Sequence, residues 1–260
     1  MTTMTTKTKT AAGTPHNRMR RTAFWSGVMY LLTFVSIPTL ALYQSVKGAG
    51  YVAGIGPDTG VLVGGALELI VGLACIGTAV VLYPVVRRQN EALAMGFVGA
   101  RILEAALIFV GVASLWTIVT LRQSGAGPDA TLMGETLVAF YDRAFLVSQG
   151  FIPTLNALLL GSLLYRSRLV PRVLPVLGFI GAATLLAYNA ATLLGFSGDV
   201  ATVLALVAVL PIATWEFSLG VYLVVKGFRP AAVAKLDTLP ATPGTPWAGS
   251  HASGESGVTS

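Results

Sequence analysis

The chain has 260 residues, of which 54% are hydrophobic and only 11% charged, and its mean hydropathy is +0.74. A soluble domain carries roughly 25% charged residues, so this chain has too few polar side chains to cover a surface that faces water. The composition excludes soluble cytosolic proteins and secreted disulfide-rich proteins, and it indicates an integral membrane protein.

Six apolar runs are long enough to cross a bilayer, for which a helix needs roughly 20 residues. They lie at residues 22–43, 60–83, 93–119, 144–165, 174–195 and 200–225. None of them alternates between apolar and polar residues as a strand of a membrane β-barrel does. The pattern therefore predicts an all-α fold, a polytopic membrane bundle of six transmembrane helices. The stretch 121–143, which contains glycine, proline and charged residues, is predicted to connect the third and fourth spans.

The two ends of the chain differ from the transmembrane domain, which is predicted at residues 22–228. Residues 1–21 are rich in threonine and basic side chains, and residues 229–260 are rich in Pro, Gly, Ser, Thr and Ala. Neither segment has enough apolar surface to offset the cost of ordering it, so both are expected to be disordered tails. The first span is longer than the apolar region of a signal peptide, and we expect it to remain in the protein as a helix.

The placement of the basic residues predicts the orientation of the protein in the membrane. Counted over six spans, 13 of the 17 Lys and Arg residues fall on one side of the membrane. They are Lys7, Lys9, Arg18, Arg20, Arg21, Arg87, Arg88, Arg166, Arg168, Arg172, Lys226, Arg229 and Lys235. The positive-inside rule then predicts an inner (plasma) membrane protein with both termini in the cytoplasm. The expected partner is the lipid bilayer, with anionic lipids at the cytoplasmic face, and not a nucleic acid. The sequence identifies no protein partner.

Several kinds of chemistry are excluded by residues that the spans lack. His16 and His251 lie in the tails, which excludes an intramembrane H-E-x-x-H zinc site, histidine-ligated haem and a serine–histidine dyad. Cys75 is the single cysteine and is interpreted as a small buried apolar residue. We therefore predict no catalytic residue, metal or cofactor, and an enzyme is the less favoured interpretation.

Four charged residues lie inside spans: Glu68, Arg101, Glu104 and Glu216. A lone charge at mid-bilayer costs at least about 2.5–3.5 kcal/mol, so such residues face the bundle interior and usually pair. Arg101 and Glu104 are three residues apart and share a helix face. Counting depth at about 1.5 Å per residue places Arg101 level with Glu216, so we predict that they pair between the third and sixth spans. Asn156 of the fourth span lies at a similar depth.

Glu68 completes this predicted polar core. It is flanked one turn away by Gly64 and Gly72, which is expected to let another backbone approach its carboxylate. Three carboxylates and one guanidinium leave a formal charge of −2 in an apolar interior. Because arginine keeps its proton, we expect one or two carboxylates to be protonated at neutral pH, with Glu68 and Glu104 the candidates.

Two functions remain open for this core. Its residues handle a small solute or a proton in transport, or bind a ligand; alternatively, the network only fixes the packing of the second, third and sixth helices in a structural or regulatory protein. Secondary candidates lie on the fourth span, where Gln149, Pro153 and Asn156 form a stripe and Pro153 frees a backbone carbonyl. Asn189 of the fifth span is expected to form an interhelical hydrogen bond.

Several motifs resemble those of a known family. They are RRTAFWSGVMYLLTFV (20–35), Arg101-Ile-Leu-Glu104, LLYRSRLVPRVLPVLGFIGAATLLAYN (163–189), and Trp215-Glu216 followed by Lys226-Gly227-Phe228. In this order they resemble the bacterial membrane proteins of domain-of-unknown-function family 4386, over about residues 18–230. The resemblance implies a six-helix inner-membrane protein of unassigned activity. It supports Arg101, Glu104 and Glu216 as family features but gives them no role.

Overall fold

A computed structural model describes residues 15–48, 50–54, 56–125, 127 and 129–238 of the chain. Within these residues the regular structure is helical, and the predicted all-α fold is confirmed. The α-helices are α1 (Pro15–Leu32), α2 (Thr39–Leu42), α3 (Thr59–Val86), α4 (Glu91–Gln123), α5 (Ala130–Phe145), α6 (Ile152–Ser167), α7 (Val173–Leu193), α8 (Asp199–Val225) and α9 (Pro230–Asp237).

Six stretches of the described chain are long and apolar enough to cross a membrane, and they correspond to the six predicted spans. They are Asn17–Leu42, Thr59–Val86, Glu91–Gln123, Ala130–Ser167, Val173–Leu193 and Val203–Val225. Large apolar side chains such as Leu73, Val80 and Leu206 are exposed on the outside of these helices. An apolar exterior of this kind is suited to lipid and not to water.

The long helices form a closed ring. Along the ring α1 packs against α3, α3 against α4, α4 against α6, α6 against α7, and α7 against α8, which returns to α1. Helix α5 packs on α4. Side chains that point into this ring from several helices therefore meet one another near its centre.

The first span is not one continuous helix. After α1 the chain forms a 3₁₀ segment, Thr33–Ser36, and then the short helix α2. Pro38 explains the break, because it has no backbone N–H and its ring clashes with the carbonyl four residues earlier. The N–H of Ile37 instead bonds the carbonyl of Phe34 at 3.2 Å. This break brings Tyr43 to the side of α3.

The predicted connection at 121–143 is wrong for most of its length, because residues from Ala130 onward form α5. Its buried residues are spaced as one face of a helix: Ala130, Gly134, Tyr141 and Ala144. This face packs on α4, which explains how a stretch containing Glu135 and Asp142 remains helical. A π-helical turn, Leu146–Phe151, joins α5 to α6, so that the fourth span extends over 38 residues.

Parts of both predicted tails are helical. Helix α1 begins at Pro15, and residues 230–237 form α9, whereas residues 1–14 and 239–260 lie outside the described part of the chain. Helix α9 is ordered because Ala232 and Leu236, one turn apart, are buried in the core cluster. The N–H of Arg229 also donates to the carbonyl of Leu169 at 2.9 Å.

The two ends of the bundle differ in charge. The first end, called the basic end, carries basic side chains at the helix ends, among them Arg20, Arg87, Arg166, Arg172 and Lys226. There the Arg20 guanidinium donates to the last carbonyls of α8, those of residues 223, 224 and 225, at 3.2, 2.8 and 3.2 Å. At the second, called the opposite end, Lys47 pairs with Asp142 and Arg122 with Asp58, each at 2.6 Å.

Candidate functional site

Arg101 is the centre of a buried polar cluster inside the ring, which we call the Arg101 cluster. Its Nη1 donates to Oε2 of Glu104 at 3.0 Å, and its Nη2 donates to Oε1 of Glu216 at 3.1 Å. The amide of Asn156 donates to the same Oε2 of Glu104 at 2.7 Å. The predicted pair between Arg101 and Glu216 is therefore confirmed, and the cluster joins α4, α6 and α8.

Aromatic rings and a thiol complete the surroundings of Arg101. The guanidinium carbon lies 5.0 Å from the centre of the Tyr30 ring and 5.8 Å from that of Phe97, so the cation has a π face beside it from α1 and another from α4. Nη1 also approaches Sγ of Cys75 on α3 at 3.5 Å. Five of the six ring helices thus contribute a side chain to the cluster.

Packing around Trp215 fixes the direction of Glu216. The indole of Trp215 is fully buried against Gly178 of α7, where a Cβ would overlap its ring. The next residue on α8 is rotated by roughly 100° about the helix axis, as 3.6 residues per turn require. Glu216 consequently points to the ring interior, where its carboxylate meets Arg101.

The cluster holds two carboxylates and one guanidinium, so it has an excess negative charge when both acids are ionised. Exposure of the side chains is 1% for Arg101, 4% for Glu104 and 15% for Glu216, which makes Glu216 the member with an open side. Arg101 Nε and Asn156 Oδ1 are buried and form no hydrogen bond with any described group. Buried polar atoms of this kind normally bind water or a ligand.

Glu68 is not a member of the Arg101 cluster, which corrects the predicted core. Its Oε1 accepts a hydrogen bond of 2.7 Å from the Tyr141 hydroxyl, and it forms no ion pair among the described residues. Tyr141 reaches Glu68 because α5 is a helix on this side of α4. The predicted network of the second, third and sixth helices therefore does not include Glu68, and the second span reaches Arg101 through Cys75 instead.

Gly64 and Gly72, one turn on either side of Glu68, leave room for aromatic rings and not, as predicted, for another backbone. A Cβ at Gly64 would overlap the Tyr43 ring, and one at Gly72 would overlap the Phe109 ring. Tyr43 lies edge-to-face with Tyr141, their ring centres 5.5 Å apart. The Tyr43 hydroxyl is buried close to Glu68 but forms no hydrogen bond of good geometry with it.

An apolar layer separates the two carboxylate sites. It consists of Val71, Cys75, Ala105, Ile108 and Val112, all buried between α3 and α4. Cys75, whose thiol approaches Arg101, lies seven positions after Glu68, which corresponds to about 10 Å along α3. The bundle therefore contains two polar sites at different depths with hydrocarbon side chains between them.

A separate cluster of polar side chains, centred on Asp58, lies at the opposite end. Asp58 accepts hydrogen bonds from the Tyr51 hydroxyl at 2.7 Å, from the Gln123 amide at 3.0 Å and from Arg122 at 2.6 Å. These donors, the Tyr51 hydroxyl foremost, hold the pKa of Asp58 below its ordinary value. Burial, with the hydrogen bond to Asp58, raises the pKa of Tyr51 to about 12.

Comparison with known families agrees with the motifs of the sequence. The family described as a domain of unknown function, DUF4386, matches residues 25–227. The chain belongs to this family. No curated protein and no solved structure matches it significantly. The match covers both carboxylate sites of this DUF4386 chain.

The secondary candidates of the DUF4386 chain take part in helix contacts. Pro153 follows the π-helical turn, and Asn189 of α7 donates to the carbonyl of Gly150 within that turn at 3.0 Å. Asn189 thus forms the interhelical hydrogen bond that was predicted. Gln149 is half-buried next to Gly150, and Asn156 is the member of the predicted stripe that hydrogen-bonds to the Arg101 cluster.

Sequence reasoning missed the tyrosines of this DUF4386 chain. Tyr43 and Tyr141 have the positions of interfacial aromatics at span ends, and the structure buries both beside Glu68. Tyr30 was predictable from the sequence as a neighbour of the polar core, because a hydroxyl in the middle of an apolar run needs a polar neighbour. Among the described residues, no three His, Cys, Asp or Glu side chains are grouped as metal ligands.

Proposed function

We propose that this chain is a multi-pass protein of the bacterial inner membrane with both termini in the cytoplasm. Six apolar helices with apolar outer faces support the membrane location. The basic end supports the orientation, because Lys and Arg are retained on the cytoplasmic side. The same positive charge attracts anionic lipid head groups to that face.

We further propose that the Arg101 cluster takes up and releases a proton, as proton-linked transport of a small solute requires. One observation carries this proposal: two carboxylates, Glu104 and Glu216, share a single guanidinium inside the ring. An excess charge in an apolar environment is costly, and binding of one proton removes it.

The proton belongs to the pair of carboxylates and not to one of them. Glu104 and Glu216 both bond the same guanidinium, so ionisation of either one changes the energy of the other. Glu216 is the member with an open side, and we assign it the exchange of the proton with the surroundings. Glu104 is buried, and its carboxylate accepts hydrogen bonds from both Arg101 and Asn156.

Infrared spectroscopy of the protein in lipid nanodiscs tests the proposal without knowledge of the solute. A protonated carboxyl has a C=O stretching band that a carboxylate lacks. Between about pH 5 and 8, where exposed carboxyls are ionised, we expect such a band to titrate in the wild type. Glu104→Gln and Glu216→Gln should each remove it, and the exposed Glu91→Gln on the same helix α4 should not. Identical bands in all three variants would contradict the proposal.

A second function is favoured by one specific feature, the complete burial of Arg101. In this alternative the cluster only fixes the contact of α4, α6 and α8 in a structural or regulatory membrane protein. Buried polar groups of this kind specify a unique packing in some proteins. The alternative predicts that Glu216→Gln changes the thermal stability but that no carboxyl band titrates between about pH 5 and 8.

A further inference from the structure

We propose that Glu68, with Tyr141 and Tyr43, forms a second proton-binding site that communicates with the opposite end of the bundle. The proposal rests on the proposed function, because it assigns a second binding site to the proton that the protein is proposed to handle. Protonation converts the Glu68 carboxylate and a solvent proton into a neutral carboxyl, with no other reactant.

The Glu68 carboxyl is buried and has no counter-ion beside it among the described residues. Glu68 is 6% exposed and forms no ion pair among the described residues, although it lies within a span. An ionised carboxylate in such a position is expensive, whereas a neutral carboxyl is much less so. Arg101 cannot take the role of a counter-ion, because its Nη atoms are bonded to Glu104 and Glu216.

The two tyrosine hydroxyls suit both states of the carboxyl group. Tyr141 donates to Oε1 of Glu68 at 2.7 Å, a bond that either state accepts. The Tyr43 hydroxyl is buried close by without a hydrogen-bond partner among the described groups. A hydroxyl oxygen accepts as well as donates, so it can receive the O–H of the protonated carboxyl after a small rotation.

The titratable groups around Glu68 give it a connection to solvent at the opposite end. The Lys47 ammonium lies 5.0 Å from the centre of the Tyr141 ring and 2.6 Å from Asp142. Lys47 and Asp142 are partly exposed and line a surface pocket of about 260 Å³. Tyr141 stands between this pair and Glu68, and Tyr43, at the end of α2, lies edge-to-face against Tyr141.

On the side that faces the Arg101 cluster, the apolar layer closes the Glu68 site. Val71 and Ile108 belong to this layer, between Glu68 and the Cys75 thiol that touches Arg101. Hydrocarbon side chains carry no proton, so Glu68 exchanges with the opposite end and not directly with the Arg101 cluster. A movement of α3 against α4 would be required to join the two sites.

The experiment is an infrared titration of the full chain in nanodiscs, carried out for variants of Glu68 and its partners. We expect a second protonated-carboxyl band above about pH 5, distinct from the band of the Arg101 cluster, that Glu68→Gln removes and that Glu104→Gln and Glu216→Gln keep. Tyr141→Phe and Tyr43→Phe should each shift this band to higher frequency, because the carboxyl loses a hydrogen bond. Glu135→Gln, an exposed acid on α5, is the matched control and should leave the band in place.

The outcomes separate this inference from the proposed function. If Glu68→Gln removes no band, the second site is refuted whatever the Arg101 cluster does. If Glu68→Gln removes a band but the cluster variants do not, the second site stands and the proposed function fails. If Tyr141→Phe is poorly folded, the frequency shift in Tyr43→Phe decides. A band that sodium chloride, but not potassium chloride, removes at constant pH would identify a sodium site and overturn the assignment to a proton.

Discussion

Arg101 is the residue on which the buried cluster depends. Its guanidinium is bonded to two carboxylates and lies beside the rings of Tyr30 and Phe97. Loss of the cation leaves Glu104 buried without a counter-charge. Removing one partner from a buried ion pair typically costs about 3–5 kcal/mol.

We therefore expect Arg101→Ala to lower the melting temperature of the detergent-solubilised protein strongly. Arg101→Lys should recover only part of the loss, because a single ammonium cannot reproduce the two-sided geometry of the guanidinium. The exposed Arg143→Ala is the control and should melt as the wild type does. A thermal melt of Arg101→Ala that matches the wild type would show that the cluster does not hold the helices together.

Asp58 makes the stability of the folded protein depend on pH through its contacts at the opposite end. Because donors from Tyr51, Gln123 and Arg122 depress its pKa in the folded chain, the unfolded chain binds more protons in acid. The contribution of Asp58 to stability is complete above its unfolded pKa of about 3.9 and is lost as the pH falls through the folded value. The wild type should lose its stability advantage over Asp58→Asn as the pH falls from about 6 to 3. An advantage that stays constant in melts across this range would refute the assignment.

Residue spacing in the sequence predicted one polar pair and missed the other. Depth counting was sufficient for Arg101 and Glu216, because each lies in a single continuous helix, α4 or α8, that reaches the basic end without a break. The partner of Glu68 was not predictable in this way. Tyr141 belongs to a stretch that contains charged residues and looks like a connection, and it becomes helical only because one of its faces packs on α4.

At the scale of the elements, close contact between helices depends on small residues. A Cβ at Gly181 of α7 would lie 2.5 Å from the backbone nitrogen of Ile212 on α8. A Cβ placed at Gly99 of α4 would have no described atom within 4 Å apart from its chain neighbours and the backbone of its own helix turn. Both glycines are inside helices, which makes them a matched pair.

Gly181→Ala should therefore destabilise the protein by roughly 1–3 kcal/mol, since α7 and α8 must move apart. Gly99→Ala should be neutral or stabilising by up to about 1 kcal/mol, because alanine favours the helix. Melting temperatures in the same detergent measure both effects. Equal effects of the two substitutions would mean that α7 and α8 do not approach as closely as described.

The apolar pattern was enough to predict the helical spans but not their interruptions. The break before α2 follows from Pro38, whose effect is local and was readable. The π-helical turn at Leu146–Phe151 was not readable, because it depends on a tertiary contact, the hydrogen bond from Asn189 to Gly150. The order of α9 likewise depends on its contact with the core cluster.

At the scale of the whole molecule, the proposed orientation places the basic end in the cytoplasm. Ser124 lies exposed after α4 at the opposite end, and Lys226 lies exposed after α8 at the basic end. A thiol reagent that cannot cross membranes should label Ser124→Cys in intact cells and should label Lys226→Cys only after lysis. The wild type is the control, because its Cys75 is buried. The reverse labelling pattern would invert the topology.

The number of protons that the Arg101 cluster binds distinguishes a proton-binding site from a packing device. The wild-type protein and the Glu104→Gln/Glu216→Gln double variant are acidified in weakly buffered nanodiscs from about pH 8 to 5, and a pH-sensitive dye records the protons bound. The excess charge of two carboxylates on one guanidinium predicts that the wild type binds about one proton more per molecule. Equal uptake by the two proteins would show that the cluster binds no proton in this range and that Arg101, Glu104 and Glu216 only pack the helices.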